Sequence, residues 1–227
     1  MDVMKMLKRV AQARGEINRS LFKMRLKKQI AQGLKIGKNC YILESVKFDY
    51  DYPFLIEIGD NVRIGPGVQI LAHDASPYAS FGMTRVAPVK ILEGTSIFTD
   101  ALILPGVTIG PNAMISARAV VNRDIGPNMA AAGNPARAYA KYPDLLKRLK
   151  QQIRPETIIN IEDFESGKIS NDEIRALVDE HSAGFIAGAP DAKSDDRWIN
   201  TDPDYPRRQS LEALERAMTP DPETETE

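Results

Sequence analysis

Residues 91–132 read ILEGTSIFTDALILPGVTIGPNAMISARAVVNRDIGPNMAAA, and their period decides the fold. An aliphatic residue returns every sixth position, at Ile91, Ile97, Ile103, Ile109, Ile115 and Val121. Four places after each comes Thr95, Ala101, Val107, Ala113 or Ala119, small or β-branched, and then a larger Ile125. A period of six is neither the 3.6 of a helix nor the 2.0 of a plain strand. It fits short strands separated by regular corners, with three hexamers making one triangular turn of about 18 residues that rises by the spacing of neighbouring strands, roughly 4.8 Å. The aliphatic residue points inward, and the residue four later must fit a tight corner. Each buried Ile or Val contributes about 1.5–3 kcal/mol, and stacking makes the array cooperative.

Working outward, Ile36, Ile42 and Phe48 take the aliphatic position, with Cys40 and Val46 at corners. The phase slips across FDYDYPFLI (48–56), which requires a bulge or loop, and resumes at Ile58, Ile64 and Ile70, with Val62 and Val68 as corners. The period then disappears in LAHDASPYASFGMTRVAP (71–88), punctuated by Gly, Pro and Ser. A loop projecting from a stacked array leaves the core intact and has room for a site. Gly133 and Pro135 in GNPAR (133–137) end the array.

Residues 2–32 read as helix, with an interruption expected at Gly15. Val3, Leu7, Val10, Ile17, Leu21 and Met24 fall at three- and four-residue steps on one face, which Phe22, Leu26 and Ile30 widen. Residues 1–38 carry eleven Lys/Arg against Asp2 and Glu16. The helix therefore reads either as a cap packed on protein, its own β-helix or a partner subunit, or as a peripheral contact with an anionic membrane. Beyond the array, 142–153 and 170–180 read as helices, the second capped by Ser170; 187–208 reads as loop, 209–218 as a short helix and 219–227 as a disordered acidic end.

Composition excludes several classes. One cysteine, Cys40, allows no disulfide framework or Cys-based metal site, and it reads as a small buried residue. No apolar run approaches the roughly 20 residues of a membrane span, and the N-terminus shows no signal-peptide core, so a cytoplasmic protein is expected. Nucleic-acid binding has only the N-terminal charge in its favour. A sugar nucleotidyltransferase would need a Gly-rich nucleotide-binding segment ahead of the repeats.

The repeats, with ILPGVTIG (103–110) and AAGNPAR (131–137), resemble the hexapeptide-repeat acyltransferases. The resemblance implies a left-handed parallel β-helix; periodicity alone does not give the hand, since parallel crossovers are usually right-handed. The expected class is mainly β: a basic helical segment over 1–33, the β-helix over 34–140 with its loop at 71–88, and a partly helical acidic extension over 141–227. The implied reaction is transfer of an acetyl group from acetyl-CoA to a hydroxyl of a sugar or surface-polysaccharide precursor, in a homotrimer and without a metal. N-acetylation of an amino sugar uses the same parts, and a non-catalytic β-helix serving as an assembly module is a reading of a different kind. The γ-class carbonic anhydrases share this pattern but need three histidines; the chain has two.

Such a transfer needs a base for the acceptor's proton, and imidazole is suited to it. His73, in the loop, is the expected base; His181 lies outside the repeats and reads as structural or surface. A catalytic imidazole is oriented through its other nitrogen. Asp51 at the phase slip, near where acidic residues help the acceptor site in similar enzymes, is the first candidate, with Asp74 second; Asp51, Asp74 and Arg85 are also the expected acceptor contacts, Arg85 able to read an acid or phosphate. The resemblance sets Thr99 and Ala117, 18 residues apart, along the pantetheine arm, and Arg123 and Arg137 at the cofactor's phosphates.

Overall fold

The computed structural model describes residues 3–160, 163, 166–181, 185–187 and 198–200. Helix α1 (Val3–Ala31) is followed by strands β1 (Lys35–Ile36), β2 (Tyr41–Leu43), β3 (Lys47–Phe48), β4 (Ile56–Ile58), β5 (Arg63–Ile64) and β6 (Gln69–Ile70). Next come β7 (His73–Asp74), α2 (Tyr78–Phe81), β8 (Arg85–Val86), β9 (Val89–Ile91), β10 (Ser96–Ile97), β11 (Leu102–Ile103), β12 (Thr108–Ile109), β13 (Met114–Ile115) and β14 (Val120–Val121). The remainder is β15 (Met129–Gly133), β16 (Ala136–Lys141), α3 (Tyr142–Gln152), β17 (Ile158–Asn160), α4 (Asn171–His181), β18 (Phe185–Ala187) and β19 (Trp198–Asn200).

The strands from β1 to β14, apart from β7 and β8, are dealt in rotation to three sheets. The first sheet is β1-β4-β9-β12, the second contains β2-β5-β10-β13, and the third is β3-β6-β11-β14. Within each of these series every pairing is parallel. In the regular part each residue pairs with one 18 positions on: Lys90 with Thr108, Ser96 with Met114, Leu102 with Val120. The preceding circuits are longer. Lys35 pairs with Glu57 and Glu57 with Lys90. The phase slip and the loop account for the difference, the first containing a 3-10 turn at Pro53–Leu55.

The periodic residues fill the interior. Ile91, Ile103, Ile109, Ile115 and Val121 are fully buried, as are Cys40, Ala101 and Ala113 at the corners. Thr95 is buried too, and its hydroxyl donates to the Gly110 carbonyl at 3.0 Å, so its polar group is satisfied. Corners turn through the left-handed region, at Asn61, Asp100, Asn112 and Arg118, with φ between 52° and 59°. They also stack closely: a Cβ on Gly59 would lie 2.7 Å from the Glu93 nitrogen on the next circuit, which no side chain could accommodate without moving backbone.

Helix α1 runs through Gly15 without a break, contrary to the expected interruption. Nothing lies within 4 Å of a Cβ built there, so this glycine costs about 0.5–1 kcal/mol of helix propensity and no more. The single broad apolar face expected for α1 is in fact two faces. Phe22 and Leu26 are buried in the core cluster, whereas Leu7, Val10, Ile17, Leu21 and Met24 are exposed. The buried Gln29 fastens the helix by donating from Nε2 to the carbonyls of Phe48 and Asp49, both at 3.2 Å.

The second sheet ends in antiparallel strands. β16 folds back on β15 at one end, and β19 pairs with β2 at the other. The described residues fall into two compact units, 3–143 with 198–200, and 144–160, 163, 166–181 and 185–187. In the second unit β17 and β18 pair in parallel. Helix α4 opens with a capping box: Ser170 Oγ accepts from the Glu173 N–H at 3.2 Å and Glu173 Oε2 accepts from the Ser170 N–H at 2.7 Å. The expected helix over 209–218 and the acidic end lie outside the described residues, as does most of the expected loop over 187–208, within which β19 is a strand.

Candidate active site

Three successive circuits turn from the third sheet to the first at one corner, and there the chain carries its side-chain chemistry. The first contributes Asp49, directly after β3. The second contributes the loop 71–88, a small hairpin in which β7 and β8 pair antiparallel, His73 opposite Val86 and Asp74 opposite Arg85. The third contributes Pro105 and Gly106. The hairpin hangs from the ladder, with Leu71 N–H donating to Ile103 and Ala87 N–H to Ala72.

Asp49 is 2% exposed and both its oxygens are engaged. Oδ1 accepts from the N–H groups of Asp51 at 3.0 Å and Tyr52 at 3.1 Å. Oδ2 accepts from those of Ala72 at 2.8 Å and His73 at 3.1 Å. It also lies 2.6 Å from His73 Nδ1. Burial alone would push this carboxyl up. The N–H groups of Ala72 and Tyr52, the His73 ring and the Asp51 N–H outweigh burial and hold it below the ordinary 3.8. An ionised carboxylate only accepts, so the proton in this contact belongs to Nδ1. Nε2 of the neutral ring then keeps its lone pair and can take a proton. The His73 side chain is 29% exposed, and the Tyr52 ring, 5.4 Å away between centroids, walls one side of it.

The orienting carboxylate is therefore Asp49, not Asp51. Asp51 supplies a backbone N–H to that carboxylate and leaves its own side chain exposed. A carboxylate oxygen of Asp51 does lie within 4.8 Å of the Asp49 and His73 donor atoms. As a metal site the group is poor, because Asp49 already serves four N–H donors and the imidazole. Asp74 forms a turn, accepting from the Ser76 N–H at 2.8 Å; that bond and the charge of Arg85 lower its pKa. Arg85 leans back on the third circuit, donating from Nη1 to the Pro105 carbonyl at 3.3 Å.

The other expected site residues lie on different parts of the chain. Thr99 and Ala117 are exposed on stacked corners between the second and third sheets, where Arg118 N–H donates to the Thr99 carbonyl at 2.8 Å. Within one chain this is a separate corner from that of His73. Arg123 is exposed after β14, at the His73 corner but on a later circuit. Arg137 is exposed on β16, its Nη1 donating to the adjoining Ala136 carbonyl at 2.7 Å. Two residues escaped the sequence reading, Asp49 and Gln29. The available signal for Asp49 was its place beside an inward residue, Phe48, whose ladder partner is Ile70, three residues before His73.

No family model matches the chain. Among curated proteins, Escherichia coli galactoside O-acetyltransferase is 34% identical over 114 residues, covering 49% of this chain and 55% of its own length. WcaF of E. coli, named for colanic acid biosynthesis and acetyltransfer, is 32% identical over 124 residues, covering 46% of this chain and 67% of its own length. Among solved structures, a galactoside acetyltransferase in complex with coenzyme A is 25% identical and covers 60% of this chain and 82% of its own, with a TM-score of 0.43. The chain thus spans only 55% of the length of the first of these relatives. With the hexapeptide period filling the interior and two thirds of WcaF matched, the chain belongs to the hexapeptide-repeat acetyltransferase family.

Proposed function

We propose that the chain is an acetyl-CoA-dependent O-acetyltransferase acting on a hydroxyl of a sugar or surface-polysaccharide precursor, with His73 as general base, on a left-handed parallel β-helix. The observation that carries this reading is the His73–Asp49 pair, which leaves Nε2 as the free proton acceptor at a partly open corner. The names of the relatives, a galactoside O-acetyltransferase and a colanic acid biosynthesis protein, favour a sugar acceptor.

In the reaction, His73 Nε2 removes the acceptor hydroxyl proton as the oxygen attacks the thioester carbonyl. The tetrahedral intermediate collapses with loss of the CoA thiolate, which takes the proton back from the imidazolium. Asp49 holds the ring in register and stabilises it while charged. General-base help of this kind is worth about 10²–10⁴ in rate. A thioester is already activated, so no metal is invoked.

Thr99 and Ala117 would offer main-chain groups to the pantetheine arm, and Arg123 and Arg137 their charge to the phosphates. Asp51 and Arg85 would serve as acceptor contacts; Asp74 keeps its turn. The separation of the corners supports the homotrimer that this reading includes. His73 and the Thr99–Ala117 edge lie at different corners of one chain, so a cofactor on that edge meets the histidine of a neighbouring subunit. No helix among the described residues is long and apolar enough to cross a membrane, and a cytoplasmic site of action goes with the proposed donor.

The test is calorimetric titration with acetyl-CoA, desulfo-CoA and ATP. Saturable binding of both CoA species, much tighter than ATP, is expected, with a rise in stability of about 2.7 kcal/mol at a hundredfold excess over Kd. A folded protein that binds neither CoA species overturns the reading.

A further inference from the structure

We propose that the exposed stripe of α1 is a coiled-coil seam through which copies of this chain associate. The stripe is separate from the face that α1 uses on its own chain. Phe22 and Leu26 are buried, and Arg25, Lys28 and Gln29 bond to Val46, Tyr50, Phe48 and Asp49. Leu7, Val10, Ile17, Leu21 and Met24 face away from that contact and are between 54% and 60% exposed.

Their spacing is that of a heptad. Leu7, Arg14 and Leu21 recur every seven residues, and Val10, Ile17 and Met24 fall three places after each of them; the seam ends before Lys28, which bonds to Tyr50 on its own chain. This is a strict a/d seam, two residues in seven, and narrower than the stripe of a helix that packs on a broad core. An array already buried on one side of the helix has no structural need for a second periodic stripe of large aliphatic side chains.

Charge separates a helical partner from a lipid surface. A helix lying on an anionic bilayer carries its lysines and arginines beside the apolar stripe, where they reach the headgroups. Here the positions flanking the seam, heptad e and g, hold Met6, Ala11, Ala13, Asn18 and Ser20 through the first two heptads; in the third they hold Arg25, which donates to the Val46 carbonyl on its own chain, and Lys27. The charges Arg9, Glu16, Arg19 and Lys23 stand at c and f, away from it. Arg19 is committed to Glu44, 4.0 Å away. Neutral flanks over residues 6–20 allow two equally basic helices to approach there; basic flanks along the whole seam would repel. Arg14 is the single polar a position in the middle of the seam, the kind of residue that weakens a coiled coil while fixing its register.

The helices run parallel. The last heptad of each is fastened to its own array, so copies related by a cyclic axis bring helices together pointing the same way. This direction, though not the seam itself, rests on the cyclic trimer proposed above.

Cysteine cross-linking tests the seam. Leu7→Cys and Leu21→Cys place thiols at two a positions; Arg9→Cys and Lys23→Cys place them at c. Cys40 is fully buried and serves as a silent background. Under mild oxidation the two seam variants are expected to convert most of their monomer band to disulfide-linked dimer, one chain of each trimer staying unpaired, while the two c variants keep theirs. Equal cross-linking at a and c, or none at a, overturns the proposal. So does protection of the seam thiols from maleimide only when vesicles containing phosphatidylglycerol are added, which would assign the stripe to lipid. Linkage at a central seam position (Ile17→Cys) without linkage at Leu7→Cys overturns the parallel arrangement. Acetyl-CoA titration of the same variants keeps the outcomes apart: failed cross-linking with intact CoA binding removes the seam and leaves the enzymatic reading standing.

Discussion

Two corners of the same array behave differently. Between the second and third sheets, Thr99 and Ala117 sit on corners of equal length, and each circuit is closed by its neighbour's backbone, as where Asp100 N–H meets the Pro66 carbonyl at 2.9 Å. Between the third and first sheets, two circuits are lengthened, one by the Pro53–Leu55 turn and one by the 71–88 hairpin. The regular corner presents main chain at a fixed repeat and little else. The lengthened corner buries a carboxylate and aims a histidine. In this molecule the period builds a ruled edge, and chemistry enters where the period is broken.

The comparison can be broken most sharply at His73. His73→Ala is expected to lower turnover by about 10²–10⁴, roughly 2.7–5.5 kcal/mol of barrier, with the acetyl-CoA Kd unchanged; steady-state thiol release and calorimetry measure the two. Turnover that stays at wild-type level would return His73 to the status of a loop residue. Within the array, Ile103→Ala removes a fully buried side chain and should cost about 2–5 kcal/mol in urea denaturation. A loss under about 1 kcal/mol would show that the stack relaxes around the gap.

Asp49→Asn should affect both properties. An amide offers one acceptor oxygen where the carboxylate offers two, leaving donors among Asp51, Tyr52, Ala72 and His73 unmatched, at about 1–3 kcal/mol. It should also lower turnover without changing the acetyl-CoA Kd. The folded Asp49 pKa lies below the ordinary 3.8, so its contribution to stability is complete above that value and is lost as pH falls through the lower folded value. Acid titration of stability should therefore be shallower below pH 3.8 in Asp49→Asn than in wild type. Parallel curves would mean the carboxylate is not specially stabilised. The smallest effect is expected at the regular corner: Thr99→Ala, whose proposed contact is main-chain, should change stability by less than about 0.5 kcal/mol and leave cofactor binding intact. A large rise in Kd would show that the edge is read through side chains after all.

The array was legible because each of its positions is set locally. Ile97 or Ala113 needs only its place in a hexamer to be assigned to the interior. The phase slip was legible as a slip, but FDYDYP offers Asp49 and Asp51 with nothing in the period to choose between them. The fold chooses: the Ala72 and His73 N–H groups of the next circuit donate to Asp49, and Asp51 is left exposed. The two faces of α1 merged in sequence because Leu21 and Phe22 are neighbours in any apolar pattern. Only packing shows that one is buried against the array and the other is not. Asp74 and Arg85 read as acceptor contacts because both are charged and sit beside His73; the hairpin gives one of them a turn to hold and the other a carbonyl to meet.

The antiparallel strands at the two ends of the second sheet have a consequence for growth. A stack of parallel strands is an open template, and another copy could add to it end on, as subunits add to a fibre. β16 and β19 each reverse direction, which replaces the evenly slanted hydrogen bonds of a parallel edge with alternating narrow and wide pairs. At both ends of the second sheet, one of the three, an added strand would no longer continue the parallel ladder. One face of the array thus carries a terminator at each end, one supplied directly after the last repeat and the other brought back from a segment more than 150 residues beyond the strand it covers.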